Sequence, residues 1–262
     1  MIAGLIGAAI VALAARRMRA LSTSGAVAGT VVGTMAVAAG WSWGILLVAH
    51  FIAASALSKV GERRKAELFA PIIEKGDQRD ARQVLANGGV YVLFAIGYIL
   101  WHSRLWYAVG IGALAASAAD TWATEIGTLA GRNPVSIISG RTVPTGTSGG
   151  VSLVGTLASV GGALFIAAGA AFARWPVPFT AVVLGGFAGA VADSLLGATL
   201  QTRRWCDACA KSTERSVHSC GNPTRRTGGL GGFDNDAVNA VCSGVGALVT
   251  LLLSRSTNAG GY

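Results

Sequence analysis

The chain has 262 residues, 52% of them hydrophobic and only 13% charged, with 37 glycines. That profile speaks against an ordinary soluble domain and fits a polytopic membrane protein with closely packed helices. The net charge of +9 would point to nucleic acid in a soluble chain. In a membrane chain it reads as positive-inside bias, with attraction for anionic headgroups or nucleotides, and no nucleic-acid partner is expected.

The length allows about seven or eight spans at ~20 residues each. Apolar runs fall near 2–15, 25–40, 41–58, 88–102, 105–122, 150–173, 178–200 and 237–254. The first reads as a short span and not as a cleavable signal, because Arg16, Arg17 and Arg19 follow it instead of preceding it. With the N-terminus outside, the inner loops are 16–24, 59–87, 123–149 and 201–236. They carry 3, 7, 2 and 6 Lys/Arg, which is 18 of the 21, leaving Arg104, Arg174 and Arg255 outside. Trp41, Trp43, Trp101, Trp106 and Trp175 fall at the outer turns, where amphipathic rings sit at the interface. The Gly40-Trp-Ser-Trp-Gly44 segment reads as a turn; a kink in an unbroken 25–58 helix would reverse everything before it. The expectation is one integral-membrane domain over 1–262. It is an all-α, multi-pass helix bundle in the cell (inner) membrane, with its active face cytoplasmic.

Two carboxylates lie inside these apolar runs. Asp120 sits in the stretch 110–127 and Asp193 in 184–201, in similar Ala-Asp-(Thr/Ser) settings. A charge at a membrane helix centre costs roughly 2.5–3.5 kcal/mol on insertion scales, so it faces a partner or a wet cavity. Asp120 and Glu125 lie at the inner end of one span, Asp193 and Gln201 at the inner end of another. Asp234, Asn235, Asp236 and Asn239 open the last span from the same side, and Arg82, Gln83 and Asn87 open the fourth. Four helix ends then deliver carboxylates and amides to one depth. Such oxygen-rich sets suit Mg²⁺, which keeps one or two carboxylates, waters and substrate phosphates. Asp120, Asp193 and Asp234 are the expected ligands. Helix capping is the other role open to Asp234 and Asn235.

The loop 132–150 runs straight into a span, with Gly146, Gly149 and Gly150 for close backbone approach and Thr145, Thr147 and Ser148 for hydroxyls. A helix start would present free N–H groups to an anion, and Arg132 and Arg141 would add charge-assisted contacts to phosphate. An ordinary Gly/Thr/Ser turn has the same composition; no Walker-type GxxxxGK[ST] is present. The segments 23–27 and 147–151, and 119–121 and 192–194, hint at a decayed parallel repeat with unequal spacing.

Cys206, Cys209, His218 and Cys220 give four soft ligands within fifteen residues, a pattern suited to tetrahedral structural Zn²⁺ in a cytoplasmic insert over 201–232. Redox thiols or no ligand role are the alternatives. Cys242 reads as packing, and His50 and His102 stand alone.

The motifs Ala119-Asp-Thr-Trp-Ala-Thr-Glu-Ile-Gly127, Val143-Pro-Thr-Gly-Thr-Ser-Gly-Gly-Val151, Val191-Ala-Asp-Ser-Leu-Leu-Gly-Ala-Thr-Leu-Gln201 and Asn235-Asp-Ala-Val-Asn239 resemble the integral-membrane family known as domain of unknown function 92. The segment 79–89 fits the same pattern. That family includes transmembrane protein 19 and the plant phytyl-phosphate kinase of tocopherol synthesis. The resemblance implies phosphoryl transfer from a nucleoside triphosphate to an isoprenyl or phytyl monophosphate lipid, giving the diphosphate. A fainter similarity to CTP-using membrane lipid kinases and phosphatidate cytidylyltransferase suggests CTP. The Lys-rich stretch of their loop is absent here, with Arg141 the only basic candidate.

Asp120, Glu125, Asp193 and Asp236 are therefore the catalytic candidates. Arg132, Arg141, Thr145, Gly146, Thr147, Ser148, Gly149, Gln83, Asn87, Gln201, Asn235 and Asn239 are the nucleotide- and phosphate-binding candidates. Phosphoryl transfer needs in-line positioning and charge neutralisation more than covalent catalysis, and this set supplies both. An ion-coupled transporter also fits intramembrane carboxylates and many glycines, but would want them near the midplane among broken helices. Cytidylyl transfer to a lipid phosphate would use the same residues.

Overall fold

The computed structural model of the chain describes residues 2–61, 78–130, 133–214 and 216–259. Arg132 lies outside them. Among the described residues eight long helices follow in order: Ile2–Arg17 (α1), Thr23–Ala39 (α2), Trp41–Lys59 (α3), Ala81–Trp101 (α4), Leu105–Gly127 (α5), Leu153–Phe172 (α6), Phe179–Thr199 (α7) and Asn235–Ala259 (α8). Two small antiparallel sheets stand outside the bundle. One pairs Val135–Ser136 (β1) with Gly150–Val151 (β2); in the other, Arg203–Cys206 (β3) lies between Lys211–Thr213 (β4) and Arg225–Gly228 (β5). The bundle is helical as expected, while the loops carry these strands.

Local chemistry explains the helix starts. Ser22 and Ser152 each accept the backbone N–H three residues on, from Gly25 and Gly155, both at 3.1 Å. Asp80 accepts the Gln83 N–H at 2.9 Å while the Gln83 side chain accepts the Asp80 N–H at 3.1 Å, a reciprocal cap on α4. Between α2 and α3 the chain turns at Gly40, whose φ of 143° excludes most side chains. The reversal is genuine. Ser22 before α2 donates its N–H to the Arg79 carbonyl, and Ser55 near the end of α3 accepts from the Arg79 guanidinium. The start of α2 and the end of α3 therefore share one end of the bundle, which rules out the unbroken 25–58 helix.

Five helices, α3, α4, α6, α7 and α8 over Asn235–Ser256, are long and apolar enough to cross a membrane. Their outward faces carry bare apolar side chains such as Ile45, Ile52, Leu93, Leu157, Phe172 and Leu248. Such a surface suits lipid and not water. Helix α5 is different. It carries two acids, and every residue from Ala108 to Ala119 is buried. It is the central helix, enclosed by α3, α4, α6, α7 and α8.

Small residues permit that enclosure. A Cβ on Gly112 would meet the Gly246 carbonyl at 2.5 Å, and one on Gly246 would meet the Gly185 carbonyl at 3.1 Å. Three backbones, from α5, α7 and α8, thus cross at one level with no room for a side chain. With lipid outside, close packing of this kind is what holds helices together.

The bundle has two unlike ends. At one, Trp43 packs on Tyr91, Tyr98, Tyr107 and Trp175, with ring centroids 4.6–5.9 Å apart. Trp175 donates to Ser42 Oγ at 3.1 Å. Trp41 and Trp101 are exposed, as expected of interfacial rings, but Trp43 and Trp175 are buried. These two lie at the same end of the bundle as Trp41 and Trp101, but packing turned them inward. The other end gathers the acids, amides and arginines.

Candidate functional site

Helices α5, α7 and α8 meet near the polar end, and each contributes one polar side chain to a common point. Asp120 lies about 10 Å, and Asp193 about 9 Å, inside the ends of their helices at 1.5 Å per residue. Asn239, one turn into α8, lies between them. The amide orientation that satisfies every neighbour has its nitrogen donating to Asp193 Oδ2 at 3.1 Å and to Asp120 Oδ2 at 3.3 Å. Its oxygen then accepts from Asn235 Nδ2 at 3.1 Å. Both carboxylates are half-buried. Two carboxylates held this close at this depth call for positive charge or a strong dipole. Asn239 supplies only the dipole.

Glu125, one turn beyond Asp120, faces elsewhere. It accepts from Ser58 Oγ at 2.5 Å, and Ser58 in turn accepts from Arg79 Nη2 at 3.0 Å. Arg79 also donates to Ser55 Oγ at 2.9 Å and lies over the Phe51 ring. Burial holds the Arg79 guanidinium below its ordinary pKa, against the pull of Glu125. Arg79 escaped notice as a site residue; its only sequence signal was its place in the 79–89 motif.

At the start of α8, Asp234 caps the helix, accepting from the Ala237 N–H at 3.1 Å, as the capping alternative expects. It also pairs with Arg82 at 2.6 Å, and Arg82 Nε lies 3.7 Å from the buried Asp236. Asp234 and Asp236 thus both face Arg82. Gln83 is occupied in its cap. Asn87 lies deeper, accepting from Ser117 Oγ at 3.2 Å; the same hydroxyl meets His50 Nε2 at 3.2 Å. His50 therefore does not stand alone. Ser117 is three residues before Asp120, so this buried polar run continues the carboxylate face of α5 into the bundle.

The Gly/Thr loop docks on the end of α7. A Cβ on Gly149, at φ +78°, would meet Ala198 Cβ at 2.4 Å, and Gly197 leaves room for the Gly149 N–H. Ser148 and Gln201 both donate to Glu214 Oε1, at 3.1 and 2.7 Å. Glu214 is close enough to Asp193 to act on it electrostatically. It is a further acid of this end, and no spacing marked it. The loop does not run straight into α6. Strand β2 intervenes, and the Ser152 side chain takes the Gly155 N–H at the start of α6. Thr145 and Gly146 lie half-buried in the turn, Thr147 is exposed, and Arg141 is an exposed residue of the hairpin whose carbonyl accepts from the Ser136 N–H and whose N–H donates to Ser139 Oγ.

Beyond Glu214, the ligand atoms of Cys206, Cys209, His218 and Cys220 lie within 4.8 Å of one another and could hold a metal ion. His218 Nδ1 is 3.2 Å and Cys206 Sγ 3.7 Å from Cys220 Sγ. Hydrogen bonds, first from Asn222, bring the Cys220 thiol down to about 5, while Cys209, donating to Cys220, is pushed up to about 11. A ready thiolate beside two further thiols and an imidazole is the donor set of a soft metal. Cys242 is buried in α8, as expected of a packing residue.

Comparison with known proteins gives the same picture at the level of family. The model of the integral membrane protein family DUF92 matches residues 6–247. The chain is 30% identical to Protein PGR of Arabidopsis thaliana over 92% of its own length and 91% of that protein. It is 34% identical to an uncharacterized membrane protein of Methanocaldococcus jannaschii, over 74% of this chain and 80% of that one. With the chloroplastic Protein VTE6 of Arabidopsis thaliana it shares 27% identity over 90% of this chain and 66% of the relative. No solved structure matches. The chain is a multi-pass membrane protein and belongs to the DUF92 family of integral membrane proteins.

Proposed function

We propose that the protein is a membrane kinase that transfers the terminal phosphoryl group of a nucleoside triphosphate to an isoprenyl or phytyl monophosphate. The terminal phosphorus–oxygen bond of the nucleotide breaks, an oxygen of the lipid phosphate takes the phosphoryl group, and the products are the nucleoside diphosphate and the lipid diphosphate. The observation that carries this reading is the convergence of Asp120 and Asp193 on Asn239, beside a Gly/Thr loop packed on the same helix end. The similarity to a family that includes a phytyl-phosphate kinase supports it.

The all-oxygen donor set of Asp120 and Asp193 fits Mg²⁺, which when bound would neutralise nucleotide phosphate charge. Asn239 orients both carboxylates. The backbone around Gly146 and Gly149 and the hydroxyls of Thr145 and Thr147 bind phosphate, with Arg141 free to fold over it. Asp234 acts as cap and Arg82 partner. In this reading the eight helices all serve as spans, the polar end is cytoplasmic, and the membrane is the cell membrane. A lipid phosphate then reaches the site while its tail stays between helices. The Cys/His insert holds structural Zn²⁺. A carrier would break its helices around a midplane site, whereas α5 and α7 run unbroken through Asp120 and Asp193.

The test incubates purified protein with labelled CTP, ATP, GTP or UTP and a series of prenyl monophosphates. Lipid diphosphate is the expected product, and it also identifies the donor. A nucleotidyl-lipid product would replace the reading with cytidylyl transfer. Substrate-dependent proton or sodium flux in liposomes without nucleotide turnover would replace it with transport. Orientation is checked separately by impermeant maleimide, which should reach Arg141→Cys and Arg225→Cys from the cytosol and Arg104→Cys and Arg174→Cys from outside.

A further inference from the structure

The Cys/His insert shares its middle residue with the site. Cys206 and Cys209 lie at the β3–β4 hairpin, and His218 and Cys220 follow after β4. Glu214 falls between these pairs, five residues after Cys209 and four before His218, immediately beyond the buried Thr213 that ends β4. Its Oε1 accepts from two places at once: Ser148 Oγ in the Gly/Thr loop, and Gln201 Nε2 at the end of α7. Gln201 is itself buried, with its oxygen over Gly197, one turn from Asp193. Three separate stretches of chain are thus pinned by one carboxylate. The position of that carboxylate depends on how the short 209–218 segment is closed.

We propose that Glu214 is a positioning residue that holds the Gly/Thr loop against the end of α7, and that metal held by the four Cys/His ligands fixes Glu214 in place. The proposal rests on the phosphoryl-transfer reading only for its kinetic consequence; the structural coupling stands apart from it. A metal joining Cys209 to His218 closes the segment at both ends and removes most of its freedom, which an open segment would have to lose each time Glu214 met its partners. The insert, set between α7 and α8 and unneeded for phosphoryl transfer as such, thereby acquires a role. Loss of metal would release the loop while leaving the contacts of Asp120 and Asp193 with Asn239 in place.

The experiment uses the full chain in nanodiscs, with metal content measured, and follows hydrogen exchange of the 145–151 amides. That readout needs no turnover. Cys206→Ser and Glu214→Ala should each raise exchange there about tenfold or more, the scale of losing hydrogen bonds to a charged acceptor. Glu214→Gln, which keeps the accepting oxygen, should restore protection. If the kinase reading holds, Glu214→Ala should also raise the nucleotide KM about tenfold while changing kcat far less. Unchanged 145–151 exchange in metal-depleted Cys206→Ser protein whose 203–228 amides have opened would overturn the proposal. So would a Glu214→Gln variant as exposed as Glu214→Ala. Should Glu214→Ala loosen α5 and α7 as well, Ser148→Ala decides: exposure of the loop with intact helices supports the coupling, and full protection refutes it. Absence of kinase activity in the wild type would sink the functional reading and leave the exchange result standing.

Discussion

Replacing either central carboxylate by its amide should stabilise the protein and abolish its chemistry. Asp120 and Asp193 share the single N–H₂ of Asn239, at 3.3 and 3.1 Å. Two unit charges about 4 Å apart repel by roughly 4 kcal/mol at an effective dielectric near 20. Asn239 offsets part of this, so relief of about 1–4 kcal/mol is expected in Mg²⁺-free buffer. Asp120→Asn and Asp193→Asn keep the shape and an accepting oxygen, so packing of α5, α7 and α8 is preserved. The assay is thermal unfolding of detergent-solubilised protein across a Mg²⁺ titration, beside phosphoryl transfer. Wild type should gain stability with Mg²⁺ by mass action, whereas the variants start higher and gain little. Turnover should fall at least about 10²–10³-fold, the scale of losing one preorganised electrostatic contact. Variants less stable than wild type without Mg²⁺, yet still stabilised by it, would refute the reasoning.

Gly246→Val should cost about 1–3 kcal/mol or more by overpacking the crossing with Gly112 and Gly185, read as loss of monodisperse protein on size exclusion; an unchanged elution profile would contradict that crossing. Arg79→Ala should cost about 1–3 kcal/mol, because Ser55 and Ser58 lose a half-buried donor, with Arg79→Lys recovering part of it in the same unfolding assay. Arg82→Ala should leave the unfolding temperature within error, since Arg82 is 68% exposed and its pair with Asp234 is open to solvent.

Periodicity sufficed to mark the helix bundle and the five helices long and apolar enough to cross a membrane, because a helix in lipid must be both long and apolar and must announce this locally. Local sequence also placed Asp120 and Asp193, since an acid within an apolar run is conspicuous by itself, and the Cys/His ligands, whose spacing is local. Caps were equally legible in principle: Asp80 with Gln83, and Asp234, are resolved by residues three positions apart. What the chain order could not convey was direction. Whether Glu125 looks toward Asp120 or toward Ser58 depends on which helix lies beside it, and α3 supplied that neighbour. Trp43 and Trp175 share the composition of interfacial rings, yet packing buried them. Glu214 is separated from Ser148 by 66 positions, and nothing short-range marks one acid in a polar insert. Only the docking of the Gly/Thr loop and the insert on the same end of α7 brought them together, because close approach there depends on Gly149 and Gly197 lacking side chains.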